Sequence, residues 1–361
     1  MDIRSGVGKA VTVIFGLVLS IGAHAQNSVT LYGLVDGGLL FLSKTENNSA
    51  GNGGKLIGFT DSGQVPSQFG LKGTEDLGGG LSAEFRLESG IDIGNGGYNN
   101  SNGNFFGRQA YVGLTGGFGE VKAGLQFSPF FNTLFELDPV GFSNFGSSLA
   151  IYANNIAATG AFNSNAISYT SPLIAGLRGS VMFALGGETG NFAAGRQYSV
   201  SLSYQSGSLT LDAAFYDGNP GGAVVTVPSS TIGFEGRMIG ASYAFGNLIA
   251  KVSFTNYKVM GTGMNNNVYG GGLDYALTPA VDLNGGVWYV SNRNDTSSHS
   301  LMGSLGASYF LSKATTLYAQ VGVVDNHGSE NLGLAVGDAP TSLYAPAGTT
   351  VGATIGLRHA F

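Results

Sequence analysis

Along this chain apolar and polar side chains alternate with a period of two, and the alternation restarts many times. No other feature constrains the fold as much. From Val29, the residues Val29, Leu31, Gly33, Val35, Gly37 and Leu39 share one face, and Thr30, Tyr32 and Asp36 share the other. Leu81, Ala83, Phe85 and Leu87 stand against Ser82, Glu84, Arg86 and Glu88. Tyr198, Val200, Leu202 and Tyr204 stand against Gln197, Ser199, Ser201 and Ser203, and Val281, Leu283, Gly285, Val287 and Tyr289 repeat the pattern. Successive side chains of a strand point to opposite faces, so each segment reads as a strand with one apolar and one polar face. Sixteen segments are counted: 28–42, 64–75, 81–92, 105–115, 119–127, 164–171, 176–185, 196–205, 208–216, 236–245, 248–258, 266–277, 280–291, 300–311, 315–325 and 350–361.

The connections also alternate. Seven are short: Asp76–Gly80, Gly116–Phe118, Pro172–Ala175, Ser206–Gly207, Gly246–Asn247, Thr278–Pro279 and Ser312–Ala314. Eight are long: 43–63, 93–104, 128–163, 186–195, 217–235, 259–265, 292–299 and 326–349. An even strand number, with short turns at one end and long loops at the other, is the pattern of an all-β, transmembrane, 16-stranded antiparallel barrel. All nine prolines fall in connections or at strand starts, as the missing N–H requires. A soluble sandwich shares the alternation but not the asymmetry of its turns.

Composition supports the barrel. Charged residues make up 11% of the chain, against ~25% in ordinary soluble proteins. Glycine is abundant, 61 residues, without a collagen period. The 43% hydrophobic content excludes disorder. The absence of cysteine removes disulfides, thiolate metal sites and cysteine nucleophiles. A net charge of −6 argues against a nucleic-acid partner. Residues 1–25 read as a cleaved signal peptide. Arg4 and Lys9 precede an apolar stretch, and Ala23-His24-Ala25 is a small-x-small cleavage pattern. The mature domain then spans 26–361.

Six segments carry a family resemblance: Gln26–Asp36 (QNSVTLYGLVD), Phe69–Leu81 (FGLKGTEDLGGGL), Phe106–Leu114 (FGRQAYVGL), Phe118–Gly124 (FGEVKAG), Ile167–Pro172 (ISYTSP) and Gly356–Phe361 (GLRHAF). In this order they resemble the trimeric general porins of the beta-proteobacterial Gram-negative type. The resemblance implies a homotrimer in the outer membrane of a Gram-negative bacterium. Its implied partners are outer-membrane lipid, lipopolysaccharide and the barrel-assembly machinery, with terminal Phe361 as part of the assembly signal. It also implies passive diffusion of ions and small hydrophilic solutes, with no cofactor, and a third loop folded into the lumen whose acidic residues face wall arginines.

Here that loop is 128–163 and carries Glu136 and Asp138. On the wall, Gln68 and Leu125 stand where the family often has arginine, and Arg108 remains. Alternation puts Arg108 on the face of Ala110 and Val112, so its pore role rests on the resemblance. Lys72, Arg86, Lys122, Arg178, Lys251 and Arg358 fall on polar, luminal faces. The expected constriction is therefore Glu136, Asp138, Arg108, Arg86, Lys72 and Lys122, with Gln68 and Leu125 as the departures. Two lost arginines predict weak or cation-leaning selectivity.

Other readings compete. Loop three holds Phe130, Phe131, Phe135, Phe142, Phe145 and Tyr152. These would stack an aromatic or organic-acid solute in a specific channel, or simply pack the loop. A receptor scaffold or an outer-membrane hydrolase is the remaining alternative. His299, His327 and His359 are the histidines of the mature chain, and no nucleophile motif accompanies them. Asp325, Asn326 and Glu330 lack the ligand spacing of a calcium loop. An enzyme is not expected.

Overall fold

The computed structural model describes residues 28–47, 49–156, 160–222, 232–337 and 340–361; the expected signal peptide, 1–25, lies outside the described residues. The strands are β1 (Ser28–Glu46), β2 (Asn52–Asp61), β3 (Gln68–Gly78), β4 (Leu81–Gly90), β5 (Gln109–Gly116), β6 (Gly119–Phe127), β7 (Phe162–Thr170), β8 (Leu177–Ala184) and β9 (Gln197–Ser206). They continue as β10 (Leu209–Gly218), β11 (Phe234–Phe245), β12 (Leu248–Val259), β13 (Asn265–Thr278), β14 (Val281–Asn292), β15 (His299–Phe310), β16 (Thr315–His327) and β17 (Gly348–Ala360). Two helices, α1 (Pro129–Leu137) and α2 (Ser148–Ile156), lie between β6 and β7. The sheet is antiparallel throughout and closes where β17 pairs with β1, from Leu34 opposite Ala360 to Leu42 opposite Gly352. Closure satisfies every edge, the condition for a sheet in hydrocarbon.

Seventeen segments make sixteen barrel strands. β2 pairs with the outer half of β1, from Glu46 opposite Asn52 to Gly37 opposite Asp61. β3 pairs with the inner half, from Leu34 opposite Gln68 to Ser28 opposite Thr74. They are two halves of one strand, interrupted at 62–67. The expected long loop 43–63 is therefore corrected. The chain turns near Asn47–Gly51, where Asn47 and Gly51 share backbone and side-chain hydrogen bonds, and a strand follows at once.

The outward face is apolar. Val29, Leu31, Ile57, Val112, Ile239, Leu305 and Ile355 are exposed along it. Phe118, Tyr169, Tyr204, Tyr243, Tyr275 and Tyr309 are exposed near the short turns, where barrels carry an aromatic girdle at the membrane interface. No described helix is long and apolar enough to cross a membrane; the strands do the crossing.

The inward face is polar only in part. Leu42, Met182, Tyr216, Tyr257, Trp288, Val290, Met302 and Val324 sit at inward positions and are buried. They join one apolar cluster with Phe130, Leu134, Leu137, Ile151 and Ile156 of the helices and with Leu332 and Leu334 of the connection before β17. Burying each such side chain contributes about 1.5–3 kcal/mol. The barrel thus has its core where loops fold back onto the wall.

Candidate functional site in the lumen

Helix α1 is specified locally and then fastened to the wall. Ser128 caps it, its Oγ accepting from Phe131 N at 3.1 Å, and Pro129 opens the first turn. Phe130 N donates to Ser199 Oγ of β9 at 3.0 Å. At the other end Lys251 Nζ of β12 donates to the Asp138 carbonyl at 2.9 Å, placing a cation at the negative end of the helix. Beneath the helix and the following tip lie inward glycines. A Cβ on Gly240 would stand 2.5 Å from Leu137 Cδ1, one on Gly236 2.7 Å from Phe130 Cζ, and one on Gly286 2.9 Å from Pro139 Cγ. Real Cβ atoms do not approach so closely, so these glycines let loop three lie against the wall, with the Trp288 indole also taking the space at Gly286 and the Val252 carbonyl that at Gly240.

Asp138 is not a pore acid. It is 2% exposed. Its carboxylate accepts from Val140 N at 2.8 Å, Phe142 N at 2.9 Å and both Ser148 N and Oγ. Burial pushes its carboxyl upward against these four bonds. The residue folds the tip between the helices. That tip is clamped twice. Asn144 N donates to Gln64 O at 2.9 Å, and Asn144 Nδ2 to Ser62 O at 2.6 Å. Val336 N donates to Asn144 O, and Gly146 N to Leu334 O. The 62–67 excursion is itself held by Asp36, whose carboxylate accepts from Gln64 N, Val65 N and Tyr318 Oη. Sequence reading missed this excursion, although Asp61-Ser62-Gly63 and Pro66 are turn residues.

Between α1 and the wall of β4 to β10 lies a cavity of about 370 Å³. Arg86, Lys122 and Arg178 line it together with Glu120, Glu136 and Asp212, and Ser168, Ser180, Ser201 and Ser203 add hydroxyls. Lys122 pairs with Glu120 at 2.8 Å and lies 5.1 Å from the Tyr111 ring centroid. Lys72 and Arg86 are register partners flanking the Tyr32 ring at 5.2 and 5.5 Å. The protein around Glu136 raises its carboxyl above the usual range, the Asp212 charge adds to this, and Arg178 and Lys251 oppose it.

The other expected residues are placed differently. Arg108 precedes β5 and is buried. Its Nε donates to Glu88 at 3.0 Å, and its guanidinium lies 5.8 Å from the Phe127 and Phe162 centroids. It is a compensated pair, not an open cation. Gln68 registers with Leu34 and Gly90, on the face of Lys72. Leu125 registers with Ala110, on the face of exposed Val112 and Leu114, outside the lumen. Of the loop aromatics, Phe130, Phe142, Phe145 and Tyr152 are buried, Phe131 is half-buried and Phe135 is exposed. Asp325 and Asn326 face opposite ways: Asp325 bonds to Thr349 and His327, and Asn326 to the carbonyls of Leu332 and Ala345. Phe361 exchanges two backbone hydrogen bonds with Gly33, each 3.0 Å.

Comparison with known proteins follows the same outline. Residues 10–329 match the family model described as Gram-negative porin. The chain is 31% identical to outer membrane porin protein 32 of Delftia acidovorans, covering 98% of this chain and 99% of that one. It is 29% identical to an outer membrane porin protein of Bordetella pertussis, covering 82% of this chain and 89% of that one. Among solved structures, an anion-selective porin from Comamonas acidovorans superposes with a TM-score of 0.75 at 27% identity, covering 93% of this chain and all of that one. A trimer form of OmpT from Vibrio cholerae shares the fold, with a TM-score of 0.66 at 14% identity, covering 93% and 99%.

Proposed function

The chain belongs to the Gram-negative porin family and is an outer-membrane porin, and on that premise we propose that it passes ions and small hydrophilic solutes through a lumen narrowed by loop three, with weak selectivity. The observation that carries this reading is the cavity itself, where three cationic side chains and three carboxylates share one narrow space. Water-filled pores discriminate through the charges that line them, and a balanced lining favours neither sign strongly. The structural neighbour from Comamonas is described as anion-selective. Here Glu136 and Asp212 offset Arg86 and Arg178, while Lys122 is paired with Glu120. The lean toward cations expected from Gln68 and Leu125 is set aside, since Leu125 outside the lumen has no charge to withdraw from it.

The constriction residues of this proposal are Glu136, Arg86 and Lys122, with Lys72 on the adjoining wall and Arg178 and Asp212 added. A channel specific for an aromatic solute is disfavoured, because most of the loop aromatics are engaged in packing. We read the chain as a channel and not as a hydrolase or receptor. Homotrimeric assembly, contact with outer-membrane lipid and lipopolysaccharide, cleavage after Ala25 and recognition of Phe361 by the barrel-assembly machinery complete the proposal. Single-channel recording in a planar bilayer under a KCl gradient tests it. Conductance in steps of three with a reversal potential near zero supports it. A large reversal potential of either sign defeats the weak-selectivity reading, and a folded protein without conductance defeats the channel.

A further inference from the structure

Within the 62–67 excursion every polar group of Ser62 is engaged. Its N donates to Asp36 O at 2.7 Å, and its O accepts from Asn144 Nδ2 at 2.6 Å. Its Oγ donates to the Asp61 carboxylate and accepts from Ser67 N at 2.8 Å. Ser62 holds this place with a φ of 60°, in the left-handed region that residues other than glycine seldom adopt. Such a backbone persists only where its surroundings over-determine it. Next to it Gly63 is pressed against the wall, where a Cβ would collide with Tyr318 Oη.

Three segments meet at this residue: β1 through Asp36, loop three through Asn144, and the outer connection between β4 and β5 through Asp61. The Asp61 side chain is buried. One of its oxygens accepts from Ile93 N at 3.2 Å; the other accepts from Asn99 Nδ2 at 2.9 Å and from Ser62 Oγ. Ile91 N donates to Ser67 O at 3.0 Å, a second tie between the same connection and the excursion. A continuous chain of contacts therefore runs from Asn99 through Asp61 and Ser62 to Asn144. It joins a loop at the outer rim to the tip of loop three. Beyond Ser62 the tip is held on β15 and β16, where Ser304 Oγ donates to Gly146 O and Ser143 Oγ to Gln320 Oε1. The charged cavity lies on the other side, at β4 to β10.

We propose that Ser62 is a positioning residue for the passage, coupling the outer connection 91–108 to the tip of loop three so that loosening one loosens the other. The inference rests on the reading that loop three narrows the lumen. A tip released from Ser62 leans away from its wall and toward the cavity, and conduction is then interrupted by brief closures. Contacts that act in one chain are not additive when broken together, and that property separates coupling from two unrelated local effects.

The test compares the folded full chain with Asn99→Ala, Asn144→Ala, their double variant and Ser62→Gly. Hydrogen exchange of the amides in 140–147 reads the tip directly, and single-channel recording reads the closures. Asn99→Ala alters only the outer loop, yet it is expected to speed exchange at the tip about threefold, the scale of one hydrogen bond, and to raise the closure rate by a similar factor. The double variant is expected to match Asn144→Ala alone. Ser62→Gly accepts the left-handed backbone without strain but lacks the Oγ that ties the excursion to Asp61, so it loosens the tip as Asn99→Ala does. Parental exchange at 140–147 in Asn99→Ala or in Ser62→Gly overturns the proposal. So does a double variant whose effect is the product of the two single effects. Exchange coupled as expected in a barrel that conducts nothing upholds the coupling and defeats the channel reading instead.

Discussion

Neutralising Glu136 isolates the electrostatic claim about the lumen. The cavity it lines has the volume of a sphere roughly 4.5 Å in radius, so a permeating ion passes on the order of 5 Å from the carboxylate, where one unit charge in a water-filled space is worth about 0.8 kcal/mol. Screening over a Debye length of ~10 Å at 0.1 M salt reduces this to about 0.5 kcal/mol. Glu136→Gln removes an attraction for cations and a repulsion for anions of that size. Each permeability changes about twofold in opposite directions, so the anion-to-cation ratio rises about four- to fivefold. The assay is the reversal potential of the purified protein in a planar bilayer under a KCl gradient. At molar salt the shift shrinks, because screening then acts within a few ångströms. An unchanged reversal potential at 0.1 M would refute the argument and remove Glu136 from the narrow part of the passage. Asp138→Asn is the informative contrast. It leaves selectivity unchanged and lowers stability by about 1–3 kcal/mol, because one of the two accepting oxygens becomes an NH2 group that faces either the Ser148 N and Oγ donors or the Val140 and Phe142 N–H groups.

Further expectations follow from the same contacts. The Glu136 carboxyl is held above ordinary carboxylates, so as the pH is lowered it loses its charge before unperturbed carboxylates do and the reversal potential shifts toward anions, and Glu136→Gln flattens that profile. Lys251→Met frees the C-terminal end of α1 and raises open-channel current noise, whereas Lys251→Arg keeps the recording quiet; equal noise in both would mean that the helix needs no tie there. Gly240→Val drives a side chain into Leu137 and the Val252 carbonyl, costing about 1–3 kcal/mol as overpacking; the loss is read as a lower temperature of the heat-modifiable transition.

The strand number was legible because lipid imposes one rule on every strand: apolar residues outward, closed at the edge. Segments such as Tyr198–Tyr204 and Val281–Tyr289 obey it along their length. β2 was not legible for the opposite reason. Its register partners Leu40 and Leu42 point inward yet are apolar, because the connection before β17 folds over them; a Cβ on Gly352 would meet both Leu42 and Leu334. Where loops cover the wall, both faces of a strand become apolar or glycine, and alternation fades. The same logic sorted the charges. Arg86 and Lys122 sit in regular strands and were placed by parity. Arg108 lies before its strand and Leu125 beside the irregular register at Gly124–Gln126, and there parity or the family position gave the wrong surroundings. Asp138 was misread because no spacing rule separates a carboxylate that lines a passage from one that accepts four loop donors.

Glycine links the two sides of the wall. On the inner face Gly236 and Gly240 are crowded by Phe130 and Leu137, and Gly286 by Pro139 and the Trp288 indole, so the absent Cβ is space already taken, largely by the loop. On the outer face a Cβ on Gly303 would make ordinary contacts, 3.9 Å from Gly286 O and 4.0 Å from Val287 Cγ2 and Val323 Cγ1, so a side chain fits there without a clash. A glycine in a strand interior weakens it by entropy and lost packing, and the chain bears that cost where something must approach the backbone closely. Inside, the approaching body is its own loop three, and the charged cavity lies between that loop and β4–β10. A substitution that fills an inner glycine should therefore alter conduction, while Gly303→Leu on the outer face should leave it unchanged. Equal changes of conductance from inner and outer substitutions would mean that wall thickness, not the space loop three takes, is what these positions control.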